Sequence, residues 1–341
     1  MSFVDYFHNS NQEATMARLS LKSLAACVLA LGISAPAHAA TVEIQAGIFG
    51  GTLYQMSYAL TEILKIHAPE ITASAVETNG TGMGIIKASQ APERRIVAGT
   101  LVPVMEARAG VAPYKKAFTG LKLIGNMSEN IQTLITFDPS IKTIEDLKGK
   151  RVGLGPKPTV LGHNHASIVM AACSDPKSID FEYMNWGSMR DAMLDGSIDA
   201  MILGVSSRQT PPWVPVAVYG ELIASRGNPH YIDIPAEAVK KASENDKIAY
   251  ECKSVPAGAI GDNVPAKEIP SWRDLLGIYA FDELDEQTAY TIAKVLYEHC
   301  DEMATYSAAA KGVWPELIVP TVPDDMIHPG ALRFYKEKGL R

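Results

Sequence analysis

A chain of 341 residues with 31 Lys and Arg against 38 Asp and Glu carries a formal charge of -7, and 47% of it is hydrophobic. The charges are spread without long acidic or basic blocks, so there is no basic face to neutralise phosphates, and nucleic-acid binding is excluded. A small anion is not excluded, because one donor-rich pocket can hold it in a protein of either net sign.

At the amino terminus, Met16 to Lys22 carries two positive charges, Arg18 and Lys22, ahead of the apolar run Leu24 to Leu31 and the small-residue pattern Ala37-His38-Ala39. These are the three regions of a secretory signal peptide, residues 16 to 39, with cleavage after Ala39. A lipoprotein reading of Leu24 to Cys27 leaves almost no apolar run before the cysteine and is set aside. Residues 1 to 15 are polar and acidic, and they read as a non-native or wrongly assigned extension upstream of Met16. No later stretch approaches the ~20 apolar residues that a bilayer span requires, so no stable membrane insertion of the mature chain is expected. The roughly 300 residues that follow exceed one ordinary core and suit two lobes. Cys173, Cys252 and Cys300 remain after cleavage, without zinc-like spacing; one pair, Cys173 with Cys252, is weighed as a disulfide, and no metal is expected.

From Val42 to Ile48, apolar residues alternate with Glu43, Gln45 and Gly47, which predicts a strand. The turn Phe49 to Thr52 feeds a helix whose Leu53, Met56, Leu60, Ile63 and Leu64 share one face. Strands are predicted at 71–77 and 96–102, with the Gly-rich loop Asn79 to Gly84 opening a short helix between them. Further strands follow at 121–127 and 131–137, then a short helix over 143–148. Beyond it come a strand at 151–154, a helix over 163–173, a strand at 181–186, a helix over 188–194 with a capping box from Ser188 and Asp191, and a strand at 199–203. A helix over 235–245, a strand at 275–281 and a long amphipathic helix over 283–303 complete the pattern. Repeated strand-helix alternation means a mainly parallel sheet with covering helices, an α/β fold.

Particular segments resemble the TAXI class of solute receptors of tripartite ATP-independent periplasmic (TRAP) transporters. They are the entry Gly50-Gly51 to Tyr54, the pattern Ile141 to Val152, the helix end Asp195 to Ala200 and, most specific, the carboxyl-terminal run His328 to Gly339. The resemblance covers nearly all of 41–341. It implies a type II-like periplasmic binding protein of two lobes joined by a hinge, with lobe I formed by 41–136 plus 272–341 and lobe II by 137–271. It further implies a carboxylate or amino-acid-like acid as ligand and a TRAP-type membrane permease as partner.

Candidate site residues cluster at loop-to-helix junctions, where the first N–H groups lack intrahelical partners and the helix dipole favours an anion. Strand carboxyl ends are where ligands sit in open α/β sheets. The first junction offers Gly51, Thr52 and Tyr54, with Tyr54 equally readable as a core residue. The second offers Asn79 and Thr81; its glycines fail the dinucleotide fingerprint, and Thr100 lies at a neighbouring strand end. The third, Gly155 to His163, departs from the glycine, serine and threonine run of the family. Pro156 and Pro158 remove two N–H donors, so Lys157, Thr159 and His163 either supply the missing charge and donors or lie solvated on a stiffened loop. Ser206 and Trp213 follow the 199–203 strand and could floor the cleft, although a buried aromatic is the usual fate of tryptophan. His163 and His165 are two apart on a helix and so do not form a metal pair.

Together these residues predict a monomeric periplasmic solute-binding protein, without cofactor, that captures a small organic anion by hinge closure and passes it to a permease. An importer of the ABC class or a sensor system would use the same fold. An enzyme in the same cleft is the remaining alternative, and no G-x-S-x-G, HExxH or Walker loop supports it.

Overall fold

Strand β1 (Ala40–Gln45) follows its alternation, with Val42 and Ile44 fully buried and Thr41 exposed. The structure is a computed structural model that describes residues 40–341 other than 48, 50, 112, 113, 158, 159 and 217. The expected extension, signal peptide and cleavage site lie outside the described residues. Among these, no helix is long and apolar enough to cross a membrane.

The remaining strands are β2 (Ile71–Val76), β3 (Arg95–Thr100), β4 (Leu121–Thr136), β5 (Arg151–Leu154), β6 (Asp180–Tyr183), β7 (Ala200–Ser206), β8 (Val214–Pro215), β9 (His230–Ile232), β10 (Glu251–Cys252) and β11 (Trp272–Phe281). They form one hydrogen-bonded sheet whose main path runs β2-β1-β3-β11-β4-β7-β5-β6. Pairing is parallel within β2-β1-β3 and within β7-β5-β6, and antiparallel where β11 and β4 join the two groups. Each parallel group is wound with helices, as strand-helix alternation requires.

The fold is α/β and two-lobed, and its packing follows the lobes. One core gathers Ile44, Leu60, Ile96, Ile124, Ile278, Leu296 and Phe334. A second core, with Val152, Ile168, Ile202 and Val239, lies on one face of the β7-β5 region, and a third, with Met189, Met201, Leu203 and Leu222, lies on the other. Strand β4 serves both lobes, since Leu123 and Ile124 belong to the first core while Leu134 belongs to the second. Strand β11 does the same with Ile278 and Trp272.

Several local expectations change. The strands expected at 121–127 and 131–137 are one continuous strand, because the polar run Ser128 to Asn130 stays extended and pairs with β11 across the lobe boundary. The helix expected over 188–194 opens at Trp186. Asn185 is its N-cap, accepting from the Ser188 N–H at 2.9 Å, so the Ser188–Asp191 capping box does not form. The helix expected over 283–303 runs only Glu286–Glu298, after which His299 leaves helical geometry and a 3-10 turn, Cys300–Glu302, follows. Cys173, Cys252 and Cys300 are all free, and Cys173 is buried while Cys252 is exposed, so the weighed disulfide is absent.

Candidate functional site

In the first lobe, three adjacent parallel strands end side by side, and each leads to a helix. Helix Thr52–His67 follows β1, Thr81–Ala88 follows β2 and Leu101–Ala109 follows β3. None of the three N-caps, Gly51, Gly80 and Thr100, uses a side chain to satisfy the first N–H groups. Helix starts of this kind present partial positive charge and free donors.

The turns are tied to one another. The Gly47 N–H donates to Thr78 Oγ1 at 3.0 Å and the Phe49 N–H to Glu77 Oε1 at 3.1 Å, which locks the β1 and β2 exits together. The Thr100 N–H donates to Thr81 Oγ1 at 3.4 Å, linking the β2 and β3 exits. Gly80 has φ 87° and ψ 177°, a region reserved for glycine, so the second junction depends on that residue.

In the second lobe the exits differ. After β5, the Lys157 ammonium lies 3.6 Å from the centre of the Tyr183 ring, which ends β6. The helix following β6 is capped by its own Asn185, so its first turn is less available to a ligand. At the end of β7, the Ser206 hydroxyl donates to Asn130 Oδ1 at 2.7 Å. Two residues on, Arg208 is half-buried, and its guanidinium donates to the Ser207 carbonyl at 3.0 Å. Among the described residues it has no carboxylate partner, and burial pushes its pKa below the usual arginine range.

Strand register brings the two sets of exits face to face. Thr100, at the end of β3, aligns through Leu276 with Ser128 of β4. Ser206, at the end of β7, aligns with Asn130. Since β3 and β7 run in opposite directions, their carboxyl ends approach from the two lobes and stop with an offset along the strands of two β4 residues, roughly 7 Å at ~3.4 Å per residue, with β11 and β4 lying between them.

One side chain reaches across the lobe boundary. Gly312, in the first-lobe segment after Tyr306, carries Arg208 against its bare backbone: a Cβ there would overlap the guanidinium. The same segment contacts the start of the Thr52 helix, with the Ser307 hydroxyl donating to Gln55 Oε1 at 3.3 Å. Arg208 therefore leaves the second lobe toward the first junction of the other. Glu106, on the helix after Thr100, is half-buried, and burial raises its carboxyl pKa above the usual range, with His163 lowering it and Asp246 raising it. His163 lies 3.8 Å from Asp246 on its own lobe.

The sequence candidates have different fates. Gly51 and Thr52 are exposed at the helix start; Tyr54 is half-buried with Phe49 5.0 Å away, ring to ring, so it is not a core residue. Asn79 is exposed, Thr81 buried and Thr100 half-buried at the linked exits. Lys157 and His163 are exposed, and Thr159 lies outside the described residues. Trp213 is buried in the third core with its indole N–H donating to the Arg208 carbonyl at 3.0 Å. It also lines a separate hollow of about 470 Å³ with Ile234, Lys253 and Glu268, which no other sequence candidate lines. His163 is exposed while His165 is fully buried, so their rings leave the helix on different sides. Arg208 and Glu106 were not foreseen. The signal for Arg208 was available as an arginine two residues past a strand exit, whereas nothing local marks Glu106.

The model of the NMT1-like family matches residues 44–339. Among solved structures, a TctC solute-binding protein from Polaromonas is similar at 14% identity and a TM-score of 0.51, over 87% of this chain and 96% of that one. MatC from Rhodopseudomonas palustris with bound malate shares 13% identity at a TM-score of 0.46, over 89% and 97%. The periplasmic aliphatic sulphonate binding protein SsuA from Escherichia coli shares 14% at 0.43, over 88% of each chain.

Proposed function

The chain belongs to the NMT1-like family, and from that premise we propose that it is a periplasmic solute-binding protein for a small organic anion bearing a carboxylate. The observation that carries this reading is the pairing of three uncapped helix starts in one lobe with Arg208 of the other, which packs against Gly312 of the first lobe and, half-buried, has no carboxylate partner among the described residues. A planar guanidinium matches a carboxylate in a two-bond fork, and helix-start N–H groups donate to the remaining lone pairs.

Binding is by hinge closure. Only the closed state lets one ligand touch both sets of donors, so the ligand shifts the population toward it. Strands β4 and β11, which cross between lobes 41–136 plus 272–341 and 137–271, form the hinge, and no covalent chemistry is needed. The receptor works as a monomer, and the closed form delivers its cargo to a membrane permease of the TRAP type, as a member of the TAXI class would. The resemblance of His328 to Gly339 to the carboxyl-terminal run of that class supports this finer assignment.

Native mass spectrometry of protein purified from rich medium, followed by a thermal-shift screen of mono- and dicarboxylates, amino acids and aromatic acids, tests the reading. A cognate acid at 100 times its Kd adds about 2.7 kcal/mol of stability. It is returned chemically intact from the denatured protein. Conversion of the acid, or no response to any anion in the screen, overturns the proposal.

A further inference from the structure

Far from the cleft, the ends of two first-lobe helices converge. His67 is the last residue of Thr52–His67, and His299 caps the carboxyl end of Glu286–Glu298. Their imidazoles lie face to face, centres 3.5 Å apart and planes 9° from parallel. Glu302 closes the group, one carboxylate oxygen 2.8 Å from His67 Nε2 and the other 2.9 Å from His299 Nδ1. All three side chains are partly exposed, so an ion can reach them from solvent.

We propose that His67, His299 and Glu302 form a binding site for a borderline divalent metal ion of the Zn2+ class. Two neutral imidazole nitrogens and one carboxylate oxygen are a donor set that Zn2+ accepts, with a fourth position left for water. Their ligand atoms lie within 4.8 Å of one another. Bonds of about 2.0–2.2 Å in a tetrahedron need donors roughly 3.3–3.5 Å apart. The carboxylate is now nearer than that to both nitrogens and the rings are stacked, so an ion enters by pushing the partly exposed Glu302 side chain outward and turning the imidazoles until both in-plane lone pairs point at it.

The backbone favours the same outcome. The carboxyl end of a helix carries partial negative charge, and here two helices of 16 and 13 residues end at one point, which favours a cation. His67 and Glu302 are also far apart in sequence, so the ion closes a long loop and clamps the first helix to the carboxyl-terminal third of the chain. The site is independent of the cleft, and ligand capture does not require it.

The test uses the full mature chain, stripped with chelator, and titrates it with ZnCl2 by calorimetry at pH 7.5. The expected result is saturation at one ion per chain and a rise in melting temperature with Zn2+. Co2+ in place of Zn2+ should give the visible absorption of a tetrahedral nitrogen-oxygen site. His67→Gln keeps a hydrogen-bond donor for Glu302 while removing the imidazole, and together with His299→Ala it should weaken Zn2+ binding by more than about tenfold. Equal Zn2+ affinity in wild type and a His67→Gln protein that melts normally overturns the proposal. So does a wild-type protein that shows no saturable binding.

Discussion

The two lobes meet the cleft with different chemistry. The first lobe offers three neutral helix starts, at Gly51, Gly80 and Thr100, whose donors are backbone N–H groups. The second lobe has spent its corresponding donors: prolines occupy the β5 exit, and Asn185 caps the helix after β6. What it presents instead is side-chain charge, from Arg208 at the β7 exit and Lys157 on the ring of Tyr183. Under the proposed function, the first lobe would meet an anion with preorganised dipoles and the second with side-chain cations, so the ligand should dock on the first lobe and be drawn shut by the second. Alteration of each side in turn breaks or sharpens that division.

The largest effect belongs to Arg208. Arg208→Ala should weaken binding of the cognate carboxylate by more than about 100-fold, since truncating one partner of a desolvated charge pair costs about 2–5 kcal/mol. Its thermal melt without ligand should be unchanged or higher, because a half-buried cation with no carboxylate partner among the described residues has been removed. Loss of stability with retained affinity, read by calorimetry beside a melt, would assign Arg208 to the lobe contact at Gly312 instead.

The next effect lies on the crossing strands. Asp274 is buried, burial lifts its carboxyl pKa to about 6, and it accepts from Gln132 Nε2 at 2.9 Å while Gln132 Oε1 has no described partner. The folded state binds this proton more tightly than the unfolded chain, whose reference pKa is 3.8. Stability from this group is therefore complete below about pH 4, falls as pH rises through 6, and stays reduced above it. Asp274→Asn should raise stability at pH 8 by up to about 3 kcal/mol and change it little at pH 4, since its amide can serve both Gln132 atoms. Melting curves across that range that keep the wild-type slope would place the buried charge elsewhere.

How much of this was legible follows from the range of the signals. Helix starts were readable at 52 and 81 because glycine and threonine follow an apolar strand, and those patterns are local. The strand through Ser128 to Asn130 was not, since polar residues look like a break until the opposing β11 supplies their partners. Glu106 and the His67–His299 pair were invisible for the same reason, their neighbours being set by the packing of distant elements. Trp213 was the opposite case: its position after a strand left cleft floor and buried aromatic both open, and apolar area places it in the third core.

The first lobe can be perturbed through one residue. Gly80→Ala meets no atom within 4 Å of the added Cβ, so its effect is conformational: a φ of 87° is poorly available to alanine. A loss of about 1–3 kcal/mol in stability, together with weaker ligand binding, is expected if the second junction must hold that geometry. Thermal melts and calorimetry on one preparation separate the two, and unchanged binding in a destabilised protein would remove the Asn79–Thr81 turn from the site.

The smallest effect decides how far the second lobe's charge extends. Lys157 is exposed and its ammonium rests on Tyr183, a contact worth about 0.5–1 kcal/mol at such a position. An ammonium approached by solvent contributes far less to anion binding than a desolvated guanidinium, because water screens it. Lys157→Ala should therefore weaken binding only about fivefold, without moving the melting temperature, and the deficit should shrink in high salt while that of Arg208→Ala persists. Unchanged affinity in low salt would leave Arg208 as the cation that closes the lobes and return Lys157 to the solvated surface of a proline-stiffened loop.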